Sequence, residues 1–212
     1  MIALLTALTL AGLGTGRLIG WIVQKRRTAR TTVVDPARLP GGGEASVERL
    51  VGFPCSLGDV VLRAEGDEAW LAGALLLRER AAARDEAGDL DRTVAVLFVA
   101  PDREGDRAVY ARGAPSPSID WLLPVPETAL TVGPEPPSAI EYERERFERV
   151  RRLPLAVTRA GSGAPDLGGD AVVAEYVGGA GARLLVLVGT KVTRAWIGRR
   201  LEQGMYDVLP GK

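Results

Sequence analysis

From residue 51 to the C-terminus the apolar residues come in short runs of Val, Leu and aromatics, each cut off by Gly, Pro or Asp. Runs of that length and punctuation suit strands joined by turns, and their spacing is that of an all-β domain. Strands are expected near residues 60–64, 70–78, 94–100, 108–112 and 119–123, then near 141–142, 155–159, 171–177, 184–188, 194–197 and 206–209. The polar or Gly-rich stretches 80–92 and 162–169 read as hairpin loops.

The two groups of strands resemble each other. Ala95-Val96-Leu97-Phe98-Val99, Arg107-Ala108-Val109-Tyr110 and Trp121-Leu122-Leu123-Pro124 are echoed by Leu184-Leu185-Val186-Leu187-Val188, Arg194-Ala195-Trp196-Ile197 and Asp207-Val208-Leu209-Pro210. The expectation is a mainly β protein of two related antiparallel units, 51–137 and 138–212, packed together. Residues 140–152 are ambiguous. Glu145 with Arg149 and Glu148 with Arg152 are i,i+4 pairs that favour a solvated helix, whereas Ile140 and Tyr142 alternate as a strand does.

Ahead of this region lies a different kind of sequence. Residues 2–23 form an apolar run interrupted only by Arg17, and Lys25, Arg26, Arg27 and Arg30 follow it. At about 1.5 Å per residue a helix of that length spans the roughly 30 Å of a bilayer core. Arg17 costs roughly 2.5–3.5 kcal/mol at mid-bilayer, but beside Trp21 its long side chain reaches the headgroups. Residues 1–24 are therefore expected to be a single N-terminal transmembrane helix, with 25–50 a basic flank and flexible linker containing Asp35-Pro36 and Gly41-Gly42-Gly43. All the flanking positive charge follows the span, which orients the C-terminal domain into the cytoplasm at the inner (cytoplasmic) membrane. An exported protein with a cleaved N-terminus is the alternative, although no positive n-region or small-x-small site accompanies the run.

Gly12, Gly16 and Gly20 share one helical stripe and would let a second membrane helix approach; an abundance of Gly in the chain gives the same spacing without a partner. Gly14-Thr15-Gly16 opens like a dinucleotide-binding turn, but Ile19 stands where the third glycine belongs and no strand precedes it.

Composition excludes several chemistries. The chain has no histidine and one cysteine, so imidazole-based triads, zinc sites and intrachain disulfides are absent, and no metal or cofactor is expected. Residues 1–30 hold five positive charges and no negative ones, leaving 22 positive against 27 negative beyond them, which argues against nucleic-acid binding. Carboxylates are the remaining acid–base groups, and Asp59, Glu79, Asp120, Glu175 and Asp207 lie in or beside expected strands. The simpler reading pairs them with arginines or solvent. Cys55 lacks a basic neighbour to activate it and reads as a small buried side chain.

Of the large aromatics Trp70, Trp121, Trp196, Tyr110, Tyr176 and Tyr206, about two thirds are expected in the core, each worth roughly 1.5–3 kcal/mol when buried. Trp121, Trp196, Tyr206 and Asp207, near Arg194, Arg199 and Arg200, are the expected protein-contact residues.

Leu57-Gly58-Asp59-Val60-Val61, the Trp70 strand, Ile140-Glu141-Tyr142 with Phe147, Gly161 before Pro165, Glu175-Tyr176 and Asp207-Val208-Leu209-Pro210-Gly211 together resemble the bacterial domain-of-unknown-function family 4178 over residues 51–212. The resemblance implies a predominantly β domain with repeated structural units, linked to membrane proteins of envelope or stress systems, and it carries no catalytic residue across. The single N-terminal span and the charged stretch 78–92 depart from that family's pattern. The function expected from all of this is a membrane-anchored, cytoplasm-facing adaptor that binds another membrane-associated protein. An enzyme using paired carboxylates on a membrane-associated lipid or carbohydrate is the alternative.

Overall fold

A computed structural model of the chain describes residues 50–79, 92–102 and 106–211. In chain order the strands are β1 (Val60–Arg63), β2 (Glu68–Trp70), β3 (Gly73–Arg78), β4 (Thr93–Ala100), β5 (Arg107–Arg112), β6 (Ser118–Pro124), β7 (Ala139–Tyr142), β8 (Glu145–Gly161), β9 (Asp170–Val177), β10 (Ala182–Gly189), β11 (Thr193–Leu201) and β12 (Tyr206–Leu209). The protein is mainly β. Among the described residues no helix is long and apolar enough to cross a membrane. Arg17, Trp21, Lys25, Arg26, Arg27, Arg30 and the Gly12, Gly16 and Gly20 stripe all lie outside the described residues, as does most of the 80–92 loop.

Eight strands close into one antiparallel barrel in the order β3-β4-β5-β6-β11-β10-β9-β8, with β8 returning to pair β3. The expected pair of β units packed against each other is thus corrected to a single closed sheet. Each half contributes a four-stranded meander, β3 to β6 and β8 to β11, and the halves join through their first strands (β3–β8) and their last (β6–β11). Hydrogen bonding runs without interruption from one half to the other, so the two share an interior and cannot pack as separate layers. The echo between Trp121–Pro124 and Asp207–Pro210 also ends here, because β6 stays in the barrel while β12 leaves it for a second sheet ordered β12-β1-β2.

Both seams need glycine. At the first, Gly73 stands opposite Gly161, and a Cβ on Gly73 would lie 2.0 Å from the Ser162 carbonyl oxygen. At the second, a Cβ on Gly198 of β11 would lie 1.9 Å from the carbonyl oxygen of Trp121 on β6. Such close approach leaves no room for a side chain.

Three apolar layers explain the strand sequences. Leu75, Leu97, Leu122, Leu155, Leu185 and Trp196 fill the barrel interior, and the β8–β9 loop folds Ala164 and Leu167 into one end of it. The outer face of β3 to β6, with Phe98, Val109, Ile119 and Trp121, is covered by Val61, Ala69 and Val208 of the small sheet. The outer face of β9 to β11, with Tyr176, Leu184 and Val186, is covered by Ile140, Phe147, Val125 and Leu130. Strands buried on both faces read as continuous apolar runs, which is why Val94–Ala100 and Leu184–Val188 show no alternation.

Two elements differ from expectation. The single strand over 70–78 is divided: the Leu71 amide still donates to Asp59 of the small sheet, whereas the Ala72 amide donates to Val99 of the barrel, so the chain changes sheets between them. The ambiguous 140–152 stretch is a β7–β8 hairpin, turned by Glu143 and Arg144, both at positive φ. A two-residue loop of that kind matches strand twist. The i,i+4 pairs do not form on an extended chain; Glu135 instead lies 2.6 Å from Arg152 and 3.8 Å from Arg149. Between its pairings with β7 and β3, β8 has only β9 beside it, and Pro154 sits in that stretch. The Val157 amide points to the β9 side, so by alternation the Pro154 nitrogen faces the open edge and no ladder bond is lost.

Candidate functional site

The outer face of the small sheet is the first candidate. Because Val61, Ala69 and Val208 point inward, alternation turns Val60, Trp70 and Leu209 outward, and the register places Val60 directly opposite both others. The result is an apolar row across three strands, with Trp70 59% and Leu209 50% exposed. Beside it runs the row Glu68, Leu62 and Asp207, acidic at both ends. Among the described residues no strand pairs with the outer edge of β12. The Ala64 amide donates to the Met205 carbonyl, so the antiparallel alternation sends the amides of Tyr206 and Val208 to that open edge.

The expected contact residues are only partly here. Trp121 and Trp196 are corrected to core residues, each 5% exposed: Trp121 packs under the small sheet and Trp196 inside the barrel. Their rings lie on strands covered on both faces and offer no surface. Tyr206 is half-buried against the inner face of the small sheet, and Asp207 is exposed on its outer face. Trp70, on the exposed end of the row, was the aromatic that sequence reasoning did not single out for contact.

The second candidate is a charged cluster at the barrel end opposite the Leu167 plug. Glu175 and Asp120, 8% and 3% exposed, are both held by Arg112: its Nη1 is 3.1 Å from Glu175 Oε2 and its Nη2 is 2.6 Å from Asp120 Oδ2. Tyr110 Oη donates to Glu175 Oε1 at 2.8 Å, and Arg200 Nε donates to Asp120 Oδ1 at 3.2 Å. Arg151 stands 4.0 Å from Glu175. Burial, then the Glu175 charge, pushes the Tyr110 hydroxyl well above its ordinary range, so it remains a donor. Burial opposes the charge on Arg112, but Asp120 and Glu175 more than restore it and hold its pKa above the ordinary guanidinium value.

The remaining candidates are not brought together. Asp59 accepts from the Ser56 amide at 2.7 Å and the Gly211 amide at 3.0 Å, and so ties the ends of the small sheet. Glu79, just past the end of β3, and Asp207, on β12 of the small sheet, are both exposed. Cys55 is buried, and burial together with Asp59 pushes its thiol up to about 12, which keeps it protonated and unreactive at neutral pH. Among the described residues no group of three or more Cys, Asp or Glu side chains is placed to hold a metal ion.

A groove of about 230 Å³ lies between residues 125–132 and 192–195, spanned by the Arg194–Glu127 ion pair. It falls below the volume usual for an organic ligand, roughly 300–1,000 Å³.

These features define a filled β-barrel carrying an accessory three-stranded sheet, with no open acid–base pair among its described residues. No protein-family model, curated protein or solved structure matches the chain.

Proposed function

We propose that the chain is a membrane-anchored, cytoplasm-facing interaction module whose small sheet accepts an extended segment of another membrane-associated protein as a fourth strand beside β12. The observation that carries this reading is the open β12 edge next to the exposed row Trp70, Val60 and Leu209. Strand addition draws affinity from main-chain hydrogen bonds and specificity from alternate side chains. The recognised segment has an apolar residue to lie beside Leu209 and a Lys or Arg two positions along, facing Asp207.

The anchor rests on the apolar run of residues 2–23 and the basic cluster after it. The resemblance to domain-of-unknown-function family 4178 supports a bacterial envelope or stress setting. An enzyme built on Asp120 and Glu175 is the weaker reading, since Arg112 engages both carboxylates.

The test is a photo-crosslinking residue at position 209 of the full chain in native membranes, run beside a version starting at residue 31. Discrete adducts from the anchored form, lost when Trp70→Ala is added, are the expected result. Adducts unaffected by Trp70→Ala, or none at all, would overturn the reading.

A further inference from the structure

The charged end of the barrel holds more positive charge than its carboxylates can neutralise. Arg112, Arg151 and Arg200 share Asp120 and Glu175, and Arg183 lines the same small cavity without a carboxylate in ion-pair distance among the described residues. Four guanidiniums face two carboxylates. The Nε atoms of Arg112 and Arg183 are buried and have no hydrogen-bond partner. Buried guanidinium donors are seldom left unpaired, because each forfeits its bonds to water without replacement.

We propose that this end of the barrel binds a phosphomonoester, one oxygen entering between Arg112 and Arg183 and the others meeting Arg151 and Arg200 at the rim. The enclosed space is about 10 Å³, enough for a single water-sized atom group and too small for a whole ligand. The body of the ligand must therefore lie outside, where the side chains of Arg151 and Arg200 are 40% and 39% exposed. A dianion matches the excess of two positive charges; a carboxylate or chloride would leave one unbalanced. Guanidinium forks also suit phosphate oxygens geometrically. The electrostatics agree: burial, then Arg200 and Arg112, holds the Arg183 guanidinium below its ordinary pKa. An anion at this position would relieve that repulsion. The phosphate group has two sources with the same chemistry, a soluble phosphate ester and a phosphomonoester lipid headgroup.

The full chain in detergent should show a saturable rise in melting temperature with inorganic phosphate at constant ionic strength, absent with acetate or chloride. Arg183→Gln should leave the phosphate-free melting temperature unchanged or higher, since like-charge repulsion is removed, while weakening phosphate about tenfold or more. Arg200→Gln, at the rim, should weaken phosphate severalfold; because Asp120 loses one of its two guanidinium partners the phosphate-free melting temperature falls somewhat, so affinity is read against that variant's own phosphate-free baseline. Glycerol phosphate competing with inorganic phosphate would assign a soluble ester. A rise in melting temperature only in bilayers of phosphatidylcholine with phosphatidic acid, and not in phosphatidylcholine alone, would assign a headgroup. No saturable rise with any of these probes, an equal rise with chloride, or unchanged affinity in both arginine variants would overturn the proposal.

Discussion

Tyr110 and Glu175 meet inside the barrel, where the tyrosine hydroxyl donates a 2.8 Å hydrogen bond to the carboxylate and links β5 to β9. A bond to a buried charged acceptor is worth about 1.5–3 kcal/mol. Tyr110→Phe keeps the ring and removes only that donor, so unfolding free energy should fall by about that amount in urea titration, with the m-value unchanged.

Arg112 is expected to matter more. It alone contacts both buried carboxylates, and Arg112→Gln leaves Asp120 paired only to Arg200 and Glu175 only to Arg151 and Tyr110, with Arg183 nearby but beyond ion-pair distance. Breaking a buried pair from one side costs about 3–5 kcal/mol. The combined Arg112→Gln, Asp120→Asn, Glu175→Gln variant should recover part of that loss, because no unpaired charge is left inside; calorimetric melting of the single and triple variants checks both signs.

Gly198→Ala tests the seam between β6 and β11. Its new methyl group meets the Trp121 carbonyl oxygen, a backbone atom that moves only with the sheet. Overpacking of this kind costs about 1–3 kcal/mol. The same substitution at Gly133, where a Cβ meets nothing within 4 Å, should change the melting temperature little.

Cys55 predicts an alkaline limb. Its pKa is 9.0 when unfolded and about 12 when folded, so the unfolded chain sheds a proton that the native state retains. Stability is then fully present below pH 9 and declines as pH rises toward 12. Between pH 9 and pH 10 the loss is about 1 kcal/mol, given about 1.4 kcal/mol per unit of pKa difference. Chemical denaturation of Cys55→Ala across the same interval should show a flatter profile.

The positions of most strands were legible because a strand covered on both faces carries an uninterrupted apolar run, and Thr93–Ala100 and Ala182–Gly189 do so. Their closure into one barrel was not. The β3–β8 seam joins segments with no local signal for each other, and Gly73 and Gly161 look like any other turn glycines until they face one another. In β8 the alternating Glu and Arg residues resemble a helix surface, and Phe147 is the one fully buried side chain in its first half. The charged cluster did leave a trace: Asp120 between Ile119 and Trp121, and Glu175 between Ala174 and Tyr176, are lone acids within apolar strands. What joins them is Arg112, 63 residues from Glu175, and that distance in sequence hid the arrangement. Trp70 was obscured for the opposite reason, since it ends a run whose continuation, Gly73–Arg78, belongs to another sheet.

Trp70→Ala and Leu209→Lys should leave the fold intact, within about 0.5 kcal/mol, because both side chains are largely exposed. Strand addition beside β12 is tested most directly by amide hydrogen exchange of the full chain, free and bound to the protein that crosslinks at position 209. The Tyr206 and Val208 amides should exchange rapidly in the free protein and become protected on binding, while the Asp207 and Leu209 amides, already paired to β1, change little. Tyr206 and Val208 amides protected in the free protein, or still exchanging rapidly in the complex, would contradict it.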